Sequence, residues 1–117
     1  MNHDVFFKIT YGLYVISTKN NENKFNGHIS NTVFQTTSQP PTLAICCNKN
    51  NLSCDYMLES KIFTISILKE ETDMKFIGKF GFKTGREIDK FSDTNYKIGK
   101  TGAPIVLDNS IGYLECR

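Results

Sequence analysis

The feature that most constrains this chain is a succession of short β-type runs, most of them joined by links too short to hold a crossover helix. Residues Ile62–Leu68 alternate, with Phe63, Ile65 and Ile67 set against Thr64 and Ser66. That is the period of a strand. Tyr11–Ser17 is rich in β-branched and aromatic residues, and His28–Thr36 alternates loosely around Ile29, Val33 and Phe34. Leu43–Cys47 is continuously apolar, the pattern of a strand buried on both faces. Ile105–Leu107 and Ile111–Cys116 complete the set. Turn chemistry divides the runs at Asn20-Asn21, Asn26-Gly27, Pro40-Pro41, Asn50-Asn51 and Asp108-Asn109. Two segments read as helices. Asn51–Ser60 follows an Asn-rich cap, and Thr72–Lys79 opens on Thr72 and Asp73 as cap candidates. The expectation is a mainly β, antiparallel barrel with a few short helices.

At 117 residues the chain reads as one domain spanning 1–117, without repeat or linker. A chain of this size buries roughly two-thirds of its unfolded surface, enough for one core. With 14 basic and 12 acidic side chains, scattered rather than clustered, nucleic acid is not an expected partner. No apolar run approaches the roughly 18–20 residues that cross a bilayer, and Met1-Asn2-His3-Asp4 does not open a secretory signal. A cytoplasmic setting without membrane contact is the expectation.

Cys46, Cys47, Cys54 and Cys116 contain no C-x2-C pair, so neither a rubredoxin-type iron site nor a structural zinc site is expected. Cys46 and Cys47 sit in an apolar run and read first as small buried thiols, with redox or metal chemistry as the other reading. Gly78, Gly81 and Gly85 follow no strand and are not a dinucleotide fingerprint. Gly99-Lys100-Thr101 ends like a P-loop, but Thr94 stands where the first glycine belongs. No catalytic or metal-ligating residue emerges.

Three polar segments remain beside strands. Asn26-Gly-His-Ile-Ser-Asn-Thr32 places small hydroxyl and amide groups at the start of an apolar run. It reads as a turn feeding a strand, or as an edge open to an anion or a planar heterocycle. Asn48-Lys49-Asn-Asn-Leu-Ser53 opens a helix, where the dipole favours a phosphate. By itself it reads first as an ordinary helix cap. Thr84-Gly-Arg-Glu-Ile-Asp-Lys-Phe91 carries mixed charge and reads by itself as a solvated loop.

In order, these segments resemble the flavin reductase-like, FMN-binding split-barrel family. The resemblance runs through N-G-x-x-S-N-T-V-x-Q-x-x-S-x-x-P-P from Asn26 to Pro41, then Asn48-Lys49-x3-Ser53 and the alternating strand after Lys61. It continues through Phe76-Ile-Gly-Lys-Phe-Gly-Phe, Thr84-Gly-Arg-x2-Asp-Lys-Phe, Gly102-Ala-Pro and Leu114-Glu-Cys. It covers nearly the whole chain. Within the family the pattern is similar to the flavin domain of high-molecular-weight rubredoxins and related NAD(P)H:flavin oxidoreductases.

The resemblance implies a split antiparallel β-barrel, a homodimer, FMN held non-covalently, NAD(P)H as electron donor, and a redox partner protein or free flavin as acceptor. It implies cofactor contacts from His28, Ile29, Ser30, Asn31, Thr32, Cys47, Asn48, Lys49, Ser53 and Lys90. Ser30-Asn31-Thr32 would line the isoalloxazine and ribityl chain, and Asn48, Lys49 and Ser53 would lie near the phosphate. Lys90 would add positive charge from the same or the neighbouring subunit. Two departures stand out. The paired C-x2-C motifs of rubredoxin-fused relatives are absent, and family domains usually continue past Leu-Glu-Cys by several strands that include a Gly-Asp-His segment. The expected barrel therefore lacks the usual C-terminal strands. An NAD(P)H-dependent flavin reductase is the leading expectation. An FMN carrier or binding module without a nicotinamide site, a structural remnant, and a nucleic-acid-binding barrel are the others.

Overall fold

The computed structural model describes residues 3–8 and 12–117. After a short 3-10 helix at His3–Lys8, a four-stranded antiparallel sheet forms from β1 (Tyr14–Lys19), β2 (Phe25–Ser30), β5 (Phe63–Leu68) and β8 (Ser110–Cys116), ordered β2-β1-β5-β8. Two antiparallel hairpins, β3 (Val33–Ser38) with β4 (Pro41–Ile45) and β6 (Tyr96–Ile98) with β7 (Pro104–Val106), complete the strands. Helices α1 (Leu52–Ser60) and α2 (Met74–Gly81) lie between β4 and β5 and between β5 and β6. The structure is thus mainly β and antiparallel with few helices, as read from the sequence.

The helices start where their caps place them. The Asn51 side chain accepts from the Ser53 amide at the head of α1, and Asp73 accepts from the Phe76 amide at the head of α2. Lys61, at φ 65°, ends α1 in the left-handed region.

The central strands are buried on both faces. Ile16 pairs with His28 on one side and Ile65 on the other, so these three share one face of the sheet. Val15, Ser17, Thr64, Ser66 and Leu68 lie on the opposite face, where β7 and α2 cover them. The polar members of the β5 alternation do not meet solvent. Thr64 donates to the Pro104 carbonyl at 2.6 Å and Ser66 to the Val106 carbonyl at 2.8 Å. These two buried hydroxyls stay satisfied by fastening β7 across the sheet. Phe80 and Phe91 pack into this core beside Phe25 and Tyr96, with ring centroids 5.3–6.0 Å apart and mostly edge to face.

Several expectations need correction. His28–Thr36 is not one strand: β2 ends at Ser30 and β3 begins at Val33. Asn26-Gly27 is not a turn but lies inside β2, and the chain reverses instead at Asn20–Lys24, where Asn23 has φ 61°. The Asn26 side-chain amide donates to Ser53 Oγ at 2.8 Å, and Gly27 sits so close to its neighbours that a Cβ there would lie 3.2 Å from both the Ile16 carbonyl oxygen and the Phe80 ring. Leu43–Cys47 is not buried on both faces. Its hairpin stands off the sheet, with Phe34–Ser38 exposed and Leu43–Ile45 half-buried. The beginning of the expected Tyr11–Ser17 strand falls outside the described residues.

Candidate functional site

The break between β2 and β3 is the structural origin of the site. Ser30 Oγ accepts from the Thr32 amide at 3.1 Å, a local bond that diverts the chain from the sheet. The end of β2, His28, Ile29 and Ser30, and the diverted Asn31 and Thr32 meet Leu13, Cys46 and Asn48 around an open cleft of about 340 Å³. Asn48 is presented by the loop after β4. Its side chain accepts from the Asn50 amide at 2.9 Å and its carbonyl from the Asn51 amide at 2.9 Å, winding the loop into α1. Two larger clefts, of about 810 and 720 Å³, lie along α2 and along the 85–96 segment and share none of these residues.

His28 is the unusual group. It is 5% exposed, and neither ring nitrogen has a hydrogen-bond partner among the described residues. Buried polar atoms are ordinarily paired, and an orphan costs about 1–3 kcal/mol. Burial, helped by the Lys90 charge, pulls the imidazole down to about 4. His28 is therefore neutral at physiological pH, one nitrogen a donor and the other an acceptor.

Lys90 lies behind the cleft rather than in its lining. It is 2% exposed, and its ammonium donates to the Gly27 carbonyl at 2.8 Å and the Phe80 carbonyl at 3.0 Å. These bonds seal the outer edge of β2 and the end of α2 with one charge. Burial brings Lys90 down to about 8, so it remains mostly protonated at neutral pH. Thr84–Phe91 is accordingly not only a solvated loop, because it delivers Lys90 and Phe91 to the interior.

Of the residues expected to touch a cofactor, six converge on the cleft: His28, Ile29, Ser30, Asn31, Thr32 and Asn48. Cys47, Lys49 and Ser53 belong to the adjoining loop and helix start, outside the lining. Ser53 is fully buried and accepts from Asn26. Leu13 and Cys46 join the site without having been anticipated. Cys46 is exposed and Cys47, Cys54 and Cys116 are half-buried, which corrects the reading of Cys46 and Cys47 as small buried thiols. Both lie just past β4, which ends at Ile45, and of the two only Cys46 enters the cleft lining.

Chemically the cleft joins apolar walls at Leu13 and Ile29 to hydroxyl, amide and neutral imidazole groups. That combination suits a planar molecule with polar edges, held by hydrogen bonds rather than by charge.

Residues 6–117 match the flavin reductase-like domain. The chain is 45% identical over 115 residues to a high molecular weight rubredoxin of Moorella thermoacetica, covering 98% of this chain and 50% of that protein. It is 44% identical over 117 residues to a ferric-chelate reductase (NAD(P)H) of Archaeoglobus fulgidus, covering all of this chain and 69% of that protein. The chain thus spans only half the length of the first. The solved NADH:FAD oxidoreductase of Streptomyces globisporus superposes with a TM-score of 0.83 over 96% of this chain and 65% of that one; at 22% identity this shows the fold alone. The sequence match and the shared fold together make this chain a member of the flavin reductase-like domain family.

Proposed function

We propose that this chain binds FMN non-covalently in the cleft between β2 and the loop after β4, and that NAD(P)H reduces the bound flavin. The observation that carries the reading is His28: a buried imidazole without partners among the described residues, beside a ring of hydroxyl and amide groups. Both imidazole nitrogens are closed to solvent, so a flavin edge, which alternates donors and acceptors, would pair with them only after a local movement of the lining. The A. fulgidus relative, named for NAD(P)H-dependent ferric-chelate reduction, supports the choice of electron donor.

When bound, the flavin supplies the redox chemistry, taking a hydride from the nicotinamide and passing electrons onward. The protein binds and orients. Leu13 and Ile29 offer apolar surface to the ring system, while Ser30, Asn31, Thr32 and His28 offer hydrogen bonds to its polar edge. Asn48, the exposed Lys49 and the head of α1 face the phosphate end, with Cys47 and Ser53 supporting that loop. Lys90 contributes positive charge from behind while it holds β2 in place. His28 is neutral at working pH and serves as a hydrogen-bonding group rather than a proton source.

A homodimer is part of the proposal. The β3–β4 hairpin, with Phe34 55% exposed, and β8, with Ile111 71% exposed, offer apolar surface to a second copy. The rubredoxin relative suggests an electron-transfer protein as acceptor. Four free thiols suit a reducing, cytoplasmic setting, and among the described residues no helix is long and apolar enough to cross a membrane.

Titration of flavin fluorescence with the wild type and with Thr32→Val and Asn48→Ala tests the site. Weakening in both variants, with folding unchanged, supports it. Equal affinity in all three proteins would place the flavin elsewhere.

A further inference from the structure

Lys90 is the one charged side chain buried among the described residues, and no carboxylate pairs with it there. Its ammonium has two neutral partners, the main-chain carbonyls of Gly27 in β2 and Phe80 in α2, at 2.8 and 3.0 Å. A buried charge without a counter-ion is costly, and two carbonyl dipoles offset only part of that cost. A neutral donor would bridge the same carbonyls without it, so fastening β2 to α2 does not by itself account for a charge at this point.

The placement of the charge points to its use. Gly27 immediately precedes His28, and Phe80 immediately precedes Gly81, where a Cβ would lie 3.4 Å from the Ile29 side chain. His28 and Ile29 are wall residues of the flavin cleft, so Lys90 stands directly behind that wall. No ionised group lines the cleft itself: its polar members are hydroxyls, amides, a thiol and the neutral His28 imidazole. Lys49 is exposed, on the loop at the phosphate end. Hydride transfer from a nicotinamide breaks its C4–H bond and forms an N–H bond on the flavin ring. Two electrons and one proton move together, so the nicotinamide ring becomes a cation and the flavin ring gains one negative charge.

We propose that Lys90 balances that charge: its buried ammonium favours the reduced, anionic ring over the oxidised, neutral one, and so sets how readily the bound flavin is reduced. The proposal rests on the flavin reading of the cleft. The effect is electrostatic and acts through the wall without contact, across an interior that screens charge far less than water does.

The test compares dissociation constants for oxidised FMN and for FMN reduced with dithionite, measured anaerobically at pH 7 by ultrafiltration. By linkage their ratio gives the change in flavin midpoint potential on binding. Wild type is expected to hold the reduced form roughly tenfold more tightly, the order of effect of one weakly screened unit charge. Lys90→Met should lose that preference while keeping its affinity for oxidised FMN within about threefold. Lys75→Met, which removes an exposed lysine of α2, should keep the wild-type ratio. Equal weakening of both forms in Lys90→Met would make Lys90 a fastener or a phosphate partner and overturn the proposal. If Lys90→Met does not fold, Lys90→Gln takes its place, and a wild type that holds the reduced form no more tightly overturns the proposal without any variant. Wild type binding both forms equally sinks the proposal alone, whereas binding neither sinks the flavin reading with it.

Discussion

Replacing His28 with phenylalanine should make the free protein more resistant to acid while weakening its hold on flavin. In the native state the imidazole is held neutral, titrating at about 4 against 6.5 in the unfolded chain. Between those values the unfolded state binds more protons than the folded one. Stability attributable to His28 is therefore intact above about 6.5 and drains away as pH falls toward 4. Integrated from neutral pH to about pH 4.5, a shift of this size costs about 2.5 kcal/mol. Phenylalanine keeps an aromatic ring in the site and removes both orphan nitrogens, a further reason for the variant to be no less stable. Urea unfolding of the flavin-free proteins at the two pH values isolates the effect. Carboxylates titrate in both, so only the difference between wild type and variant belongs to His28. Stability curves that fall in parallel with acid, or an imidazole titrating near 6.5 by NMR, would refute the argument.

Lys90→Met removes the charge beside His28, and the imidazole midpoint should rise above about 4 but stay below 6.5, because burial is the larger cause of its depression; NMR titration measures it. Gly85→Ala should destabilise by about 1–3 kcal/mol in denaturant unfolding. Its Cβ would lie 2.1 Å from Asn26 Oδ1, on the side chain that ties β2 to Ser53. Asn51→Ala should cost about 1 kcal/mol, read by thermal unfolding, because Asn51 accepts the Ser53 amide at the head of α1.

What was legible in the sequence was mostly local. Asn51 and Asp73 marked their helix starts because capping depends on the next two or three residues. The alternation of Ile62–Leu68 marked β5, yet not that Thr64 and Ser66 are buried, since their partners are carbonyls some 40 residues away. Asn26-Gly27 reads as a turn until its neighbours are known, and the Asn26–Ser53 bond and the Phe80 ring are both distant in sequence. The cleft followed the ordered polar segments, so six of its lining residues were anticipated. Leu13 and Cys46 were not, because they lie outside the polar segments and reach the cleft only through the fold. Lys90 was picked out by its motif, but that its ammonium bonds two main-chain carbonyls was visible only in three dimensions.

The most direct test of the account is an absorbance spectrum of the protein after FMN addition and desalting, followed by NADH and then NADPH under anaerobic conditions. Retained oxidised-flavin bands that bleach with at least one nicotinamide are expected, together with greatly reduced retention in Asn48→Ala. Bands absent after desalting, or retained equally by that variant, would contradict it.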